Sequence, residues 1–128
     1  MVGLDVTQRT VLTKEDTKRW RDLGTVSGKA YADIVDYYIG SYAKNQPQLG
    51  GCSLHDPLAV VVAIHPEYVK TLNIFLKAGT DKADFGRTIG LCGKMNDPNP
   101  NVSVCVDVKV KDFVSHFTNT LTELFRKN

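Results

Sequence analysis

The sequence predicts an α/β domain, with helices covering the faces of a mixed sheet. Three observations carry this. Apolar residues recur at three- and four-residue spacing over residues 31–42 and 113–125, apolar and polar residues alternate over residues 71–76 and 102–108, and the helical and strand-like stretches interleave along the chain. With 128 residues, 42% apolar and 23% charged, the chain is long enough for one core, and a single domain over residues 1–128 is expected.

Val2-Gly3-Leu4-Asp5-Val6 is a short apolar segment with no leading cap and reads as an edge strand cut from its connection. Thr13 followed by Glu15 and Asp16 gives a hydroxyl N-cap with acids near the positive end of the dipole, so a helix starts there and Gly24 ends it. A second helix is expected from near Ser27 to about Asn45, with the stripe Tyr31, Ile34, Val35, Tyr38, Ile39 and Tyr42. Pro47, Gly50 and Gly51 then form a loop leading to His55.

Residues 58–64 fit a buried strand or a buried helix equally by periodicity. Asp56 followed by Pro57, a cap and then a proline whose missing N–H costs nothing, favours a short buried helix closing before Pro66. Strands are expected over residues 71–76, 87–92 and 102–108, with a turn-rich loop over residues 96–101. Phe113, Val114, Phe117, Leu121, Leu124 and Phe125 then describe an amphipathic helix to the chain end. Long crossovers imply parallel pairing and the short loops after Leu76 imply hairpins, which together make the mixed sheet.

A net charge of +2, spread among nearly balanced acids and bases, gives no footprint for nucleic acid. No apolar run approaches the roughly 20 residues of a membrane span, so no membrane partner is expected. Nothing before Asp5 resembles a secretory leader. Cys52, Cys92 and Cys105 are an odd set without CxxC spacing, which fits a reducing cytoplasm; Cys92 and Cys105 are expected to be small buried hydrophobes.

Few residues are candidates for chemistry. His55 and Asp56 are the only adjacent ionisable pair in a Gly-rich loop at a helix start. Asp56 either caps that helix or faces a hard cation with its carboxylate, and one Asp alone cannot supply the six to eight oxygens calcium takes. His55 is either a hydrogen-bonded loop histidine or a general acid. Tyr38 and Tyr42 share a helix face that is core at one end and can line a pocket at the other. His65 reads as a helix-end residue, His116 as solvated, and Arg87 as a partner in a structural salt bridge. Dinucleotide, P-loop, nucleophile-elbow and zincin motifs are absent, and no histidine precedes His55 to complete an HD-type phosphohydrolase site.

The runs Gly3-Leu4-Asp5-Val6-Thr7, Gly51-Cys52-Ser53-Leu54-His55-Asp56-Pro57-Leu58-Ala59-Val60, Gly86-Arg87-Thr88 and Asn101-Val102-Ser103-Val104 resemble the inosine-uridine-preferring nucleoside hydrolases over essentially the whole chain. The resemblance implies the C-terminal part of a Rossmann-like nucleoside hydrolase fold. It implies an enzyme that cleaves ribonucleosides to ribose and free base with calcium as cofactor. In that family the aspartate matching Asp56 is a calcium ligand, the histidine matching His55 protonates the departing base, and a helix tyrosine matched best by Tyr42, with Tyr38 on the same face, contacts the nucleoside.

The family's N-terminal Asp-rich motif, which supplies most calcium ligands and the general base, has no match here. The chain is therefore expected to be a C-terminal fragment, inactive alone and completed by a missing N-terminal half or by homo-oligomerisation. The alternative is a non-catalytic folding or assembly module that pairs its first strand with another chain.

Overall fold

The computed structural model describes every residue except Asn96 and Asn128, so the first residue of the expected loop at 96–101 lies outside the described residues. The elements are α1 (Leu4–Thr7), β1 (Val11–Leu12), α2 (Lys14–Arg21), α3 (Val26–Asn45), β2 (Cys52–Ser53), α4 (His55–Ile64), β3 (Val69–Ile74), β4 (Leu76–Ala78), β5 (Thr88–Gly90), β6 (Val102–Val108) and α5 (Val110–Arg126).

The α/β class holds, but among the described residues the strands pair as three small antiparallel sheets, β1–β2, β3–β6 and β4–β5, instead of one continuous sheet. β3 and β6 form the longest pair, with an irregularity between Lys70 and Thr71. A parallel contact exists at one point. The Met1 ammonium donates to the Ser103 carbonyl at 2.6 Å and the Cys105 N–H donates to the Met1 carbonyl at 2.9 Å, the slanted bonding of a parallel ladder around Val104.

The expected strand at Val2–Val6 is not formed, because α1 turns the chain after Met1. The Val6 and Thr7 N–H groups return to the Gly3 carbonyl. A strand would put Leu4 and Val6 on one face; the turn buries Val6 at 1% exposure and leaves Leu4 64% exposed.

The helices follow their local signals more closely. Asp16 accepts both the N–H and the hydroxyl of Thr13 at 2.9 and 2.8 Å, fixing the start of α2. Gly24 ends the turn after it with φ +73°. α3 starts one residue before its expected boundary, since the Thr25 hydroxyl accepts the Gly28 N–H. Ile34, expected in the stripe, faces out.

α4 begins at His55, with Leu54 at the N-cap position, so Asp56 is not the cap. Pro57 sits in the first turn, where N–H groups have no partner inside the helix. Only Leu58 is fully buried; Val60 and Ile64 are exposed, so the helix is half covered and not a buried one. Residues 71–76 divide between β3 and β4, and Cys92 lies exposed in a short turn beyond β5 and not in a strand.

The core is one cluster reaching from the helices to β6. Trp20 lies edge-on to Tyr31 and Phe125 at 5.4 and 5.8 Å, locking α2, α3 and α5 together, and its indole N–H donates to the Thr122 hydroxyl. Val6, Leu12, Leu54, Leu58, Val108 and Phe113 fill the space between the helices and β6. No described helix is long and apolar enough to cross a membrane.

Phe113 is fully buried at 0% exposure, so Phe113→Ala is expected to cost about 3–5 kcal/mol, read from the midpoint shift in chemical denaturation. Burial also holds the Cys52 thiol up at about 11. A thiol reagent near pH 8 is therefore expected to label Cys92 rapidly in the native chain, with Cys52 and Cys105 reacting only after denaturation.

Candidate functional site

The site is built where two distant segments cross. β1 and β2 pair with Val11 opposite Ser53 and Leu12 opposite Cys52, and the Leu54 N–H donates to the Thr10 carbonyl at 2.9 Å. The backbones meet closely at Gly51, where an added Cβ would lie 2.2 Å from the Leu12 carbonyl oxygen. This crossing lays the end of α1 against the start of α4 and brings Thr7 to His55, 48 residues away.

His55 is held at both ring nitrogens. Nδ1 lies 2.6 Å from the Thr7 hydroxyl and Nε2 lies 3.0 Å from the Tyr42 hydroxyl. Tyr38 stands one turn before Tyr42 on α3, their rings edge-on at 5.1 Å. The hydrogen bond to the Tyr42 hydroxyl, and then partial burial, hold the Tyr38 phenol above its ordinary range.

A cavity of about 340 Å³ opens beside this group, lined among others by Tyr31, Val35, Tyr38, Ser53, His55 and Asp56. The buried Ser53 hydroxyl has no hydrogen-bond partner among the described residues. Burial raises the Tyr31 phenol, and a negative Cys52 would raise it further. Tyr42 lines a neighbouring cleft of about 250 Å³ with Tyr38, Ser41, Asn45 and Gln46, so Tyr38 stands between the two spaces.

Asp56 occupies the first turn of α4, at the positive end of the helix, and makes no hydrogen bond or ion pair among the described residues. Its oxygens are open to a cation. Yet no group of three or more His, Cys, Asp or Glu among the described residues is placed to hold a metal. The donor chemistry suits calcium in one residue and falls short in number.

The fold thus gathers His55, Asp56, Tyr38 and Tyr42 in one region and adds Thr7, which local pattern could not reveal; its only sequence signal is its place at the end of the Gly3–Thr7 run. His65 caps the end of α4 and bonds Glu67 at 3.0 Å. His116, expected to be solvated, is half-buried, its ring packing 5.0 Å from His65 and 5.4 Å from Tyr68. Arg87 makes no ion pair among the described residues.

An α/β chain with this element order is a protein of the nucleoside hydrolase fold, as structural comparison shows. It superposes on a purine-preferring ribonucleoside hydrolase from Gardnerella vaginalis with TM-score 0.95 and 45% identity, covering 100% of this chain and 40% of that one. A plant nucleoside hydrolase shares the fold at TM-score 0.78 and 23% identity, over 94% of this chain and 40% of that one. Residues 1–115 match the model of the inosine-uridine preferring nucleoside hydrolases, and the chain belongs to that family.

A pyrimidine-specific ribonucleoside hydrolase, RihA, of Shigella boydii serotype 4 (strain Sb227) is 30% identical over 122 residues, which are 94% of this chain and 39% of that protein. The same figures hold for RihA of Escherichia coli O9:H4 (strain HS). The chain spans about two fifths of the length of these relatives.

The close approach at Gly51 gives the site a single-atom test. Gly51→Ala is expected to destabilise the chain by about 1–3 kcal/mol, since the neighbour is rigid backbone, with the loss read by thermal or denaturant unfolding.

Proposed function

We propose that this chain carries the leaving-group half of a ribonucleoside N-ribohydrolase site, with His55 as the proton donor. The observation that carries this is the imidazole held at both ring nitrogens beside a cavity and next to an open carboxylate.

Cleaving an N-glycosidic bond builds positive charge on the sugar and negative charge on the departing base, so a proton must reach the base as the bond breaks. His55 is suited to hold that proton because imidazole titrates closest to neutral pH. Tyr42 meets the Nε2 side of the ring and Tyr38 packs edge-on against it while lining the cavity, which supports a role for both phenols in contacting the nucleoside. The apolar walls contributed by Tyr31 and Val35 suit a planar base.

Asp56 would supply one oxygen to a calcium ion whose remaining ligands come from a protein segment outside these 128 residues. When bound, such a cation would hold the ribose hydroxyls and polarise the attacking water. The three free cysteines support a cytoplasmic setting for the work.

A second reading, a non-catalytic folding or assembly module, draws on the exposed apolar side chains Val26, Ile34, Val60 and Ile64 and on the bonding of Met1 along β6. Sedimentation separates it, since a well-behaved monomer counts against assembly.

The catalytic reading is tested by grafting this chain in place of the matching segment of the Gardnerella vaginalis enzyme, to which it is 45% identical. The chimera is expected to release ribose from inosine or uridine; both are assayed because the relatives divide between purine and pyrimidine. His55→Ala in the chimera is expected to lower kcat roughly 10²–10⁴-fold. The 128-residue chain alone is expected to release none, with calcium present. Full retention of activity after His55→Ala removes the proton-donor role.

A further inference from the structure

We infer that Thr7 is a positioning residue that fixes the tautomer of His55, keeping a proton on Nδ1 and leaving Nε2 bare toward Tyr42. The catalytic meaning of this rests on the proton-donor reading above; the state of the ring does not.

Each ring nitrogen has one partner, the Thr7 hydroxyl at 2.6 Å and the Tyr42 hydroxyl at 3.0 Å. A neutral imidazole has one donor nitrogen and one acceptor nitrogen, so the two contacts must run in opposite senses. A hydroxyl can play either part. The direction is set by what each hydroxyl does with its remaining capacity.

Thr7 is buried at 3% exposure, and its hydroxyl is directed at the Leu4 carbonyl, 3.5 Å away. With its proton turned to that carbonyl, its oxygen accepts from Nδ1–H. With Nδ1 donating to Thr7, Nε2 is the acceptor nitrogen of the neutral ring, and it accepts from the Tyr42 hydroxyl. The line then runs in one sense from Tyr42 through His55 to Thr7 and Leu4, each bond polarising the next. Run in reverse, the line leaves the Leu4 contact unmade.

Free neutral histidine in water favours the opposite tautomer, with the proton on Nε2, so the state in this fold requires a cause, and Thr7 is placed to be it. A neutral ring whose Nδ1–H is committed to Thr7 presents Nε2 as its one acceptor nitrogen. That nitrogen faces α3, where Tyr42 and Tyr38 stand.

The test is long-range proton–nitrogen correlation NMR on the ¹⁵N-labelled chain with its histidines neutral. His55 is expected to show a protonated Nδ1 and a bare Nε2. Thr7→Val, close in shape but without the acceptor, is expected to move the proton to Nε2. Thr7→Ser is expected to restore the wild-type pattern, and Tyr42→Phe to keep it. Signals of His65 and His116, which pack together away from this site, report whether each variant remains folded.

A wild-type ring protonated at Nε2 overturns the inference, as does a folded Thr7→Val chain with Nδ1 still protonated. Should Thr7→Val fail to fold, the wild-type and Tyr42→Phe spectra decide: loss of the Nδ1 proton on removing the Tyr42 hydroxyl would make Tyr42 the determinant. Because no activity enters the measurement, failure here is distinct from failure of the proton-donor reading, which the chimera tests.

Discussion

The crossing of β1 and β2 is the constraint on which the site depends. It is only two residues deep on each side, yet it joins the segment after α1 to the segment before α4. Without it, Thr7 and His55 are separated by 48 residues of chain and share no element. Closing a loop of that length costs conformational entropy that no single hydrogen bond recovers. The buried side chains of Leu12, Cys52 and Leu54 around the crossing provide the compensating burial. The fit of Gly51 against the Leu12 carbonyl shows how tightly the two backbones are drawn together.

The second support is α3, which must hold Tyr38 and Tyr42 at fixed height beside that crossing. Its N-terminal half is clamped by the Trp20, Tyr31 and Phe125 rings, and its outer side is tied to α2. Asp36 accepts from the Thr17 hydroxyl at 2.6 Å and from Arg21 at 2.8 Å, while Arg21 reaches Asp33 as well. These contacts lie at least a turn before Tyr42 in the helix. The aromatic end of α3 is therefore presented by a braced rod, with Tyr38 exposed beside the cavity and Tyr42 packed against the core.

Legibility in the sequence follows the range of the interactions. α2, α3, β6 and α5 could be read because a cap such as Thr13 with Asp16, or a period sustained over several turns, is a local signal. β1 and β2 could not, since two residues carry no period. Val2 to Val6 reads as a strand for the same reason: five residues alternate acceptably, yet they turn into α1, because burial of Val6 against the core decides the matter. The Asp56-Pro57 pair marks a helix start correctly to within two residues, but the chain is already helical at His55, held by the Leu58 N–H on the Leu54 carbonyl. His55 and Asp56 were legible as a pair. The use of Thr7 was not, since it arises from tertiary contact alone.

The pair itself divides its work by geometry. Adjacent residues on a helix point about 100° apart, so a histidine and an aspartate side by side at its start cannot easily serve the same partner. Here His55 turns to Thr7 and Tyr42, while Asp56 makes no hydrogen bond among the described residues. Had the carboxylate bonded the imidazole, one of its two oxygens would have been taken up by the ring. Two hydroxyls hold the imidazole instead. Being neutral, they orient the ring without adding a formal charge beside it, and the negative charge at this helix start stays with Asp56. The arrangement keeps an imidazole and a carboxylate on adjacent residues, with the ring held by neutral hydroxyl groups.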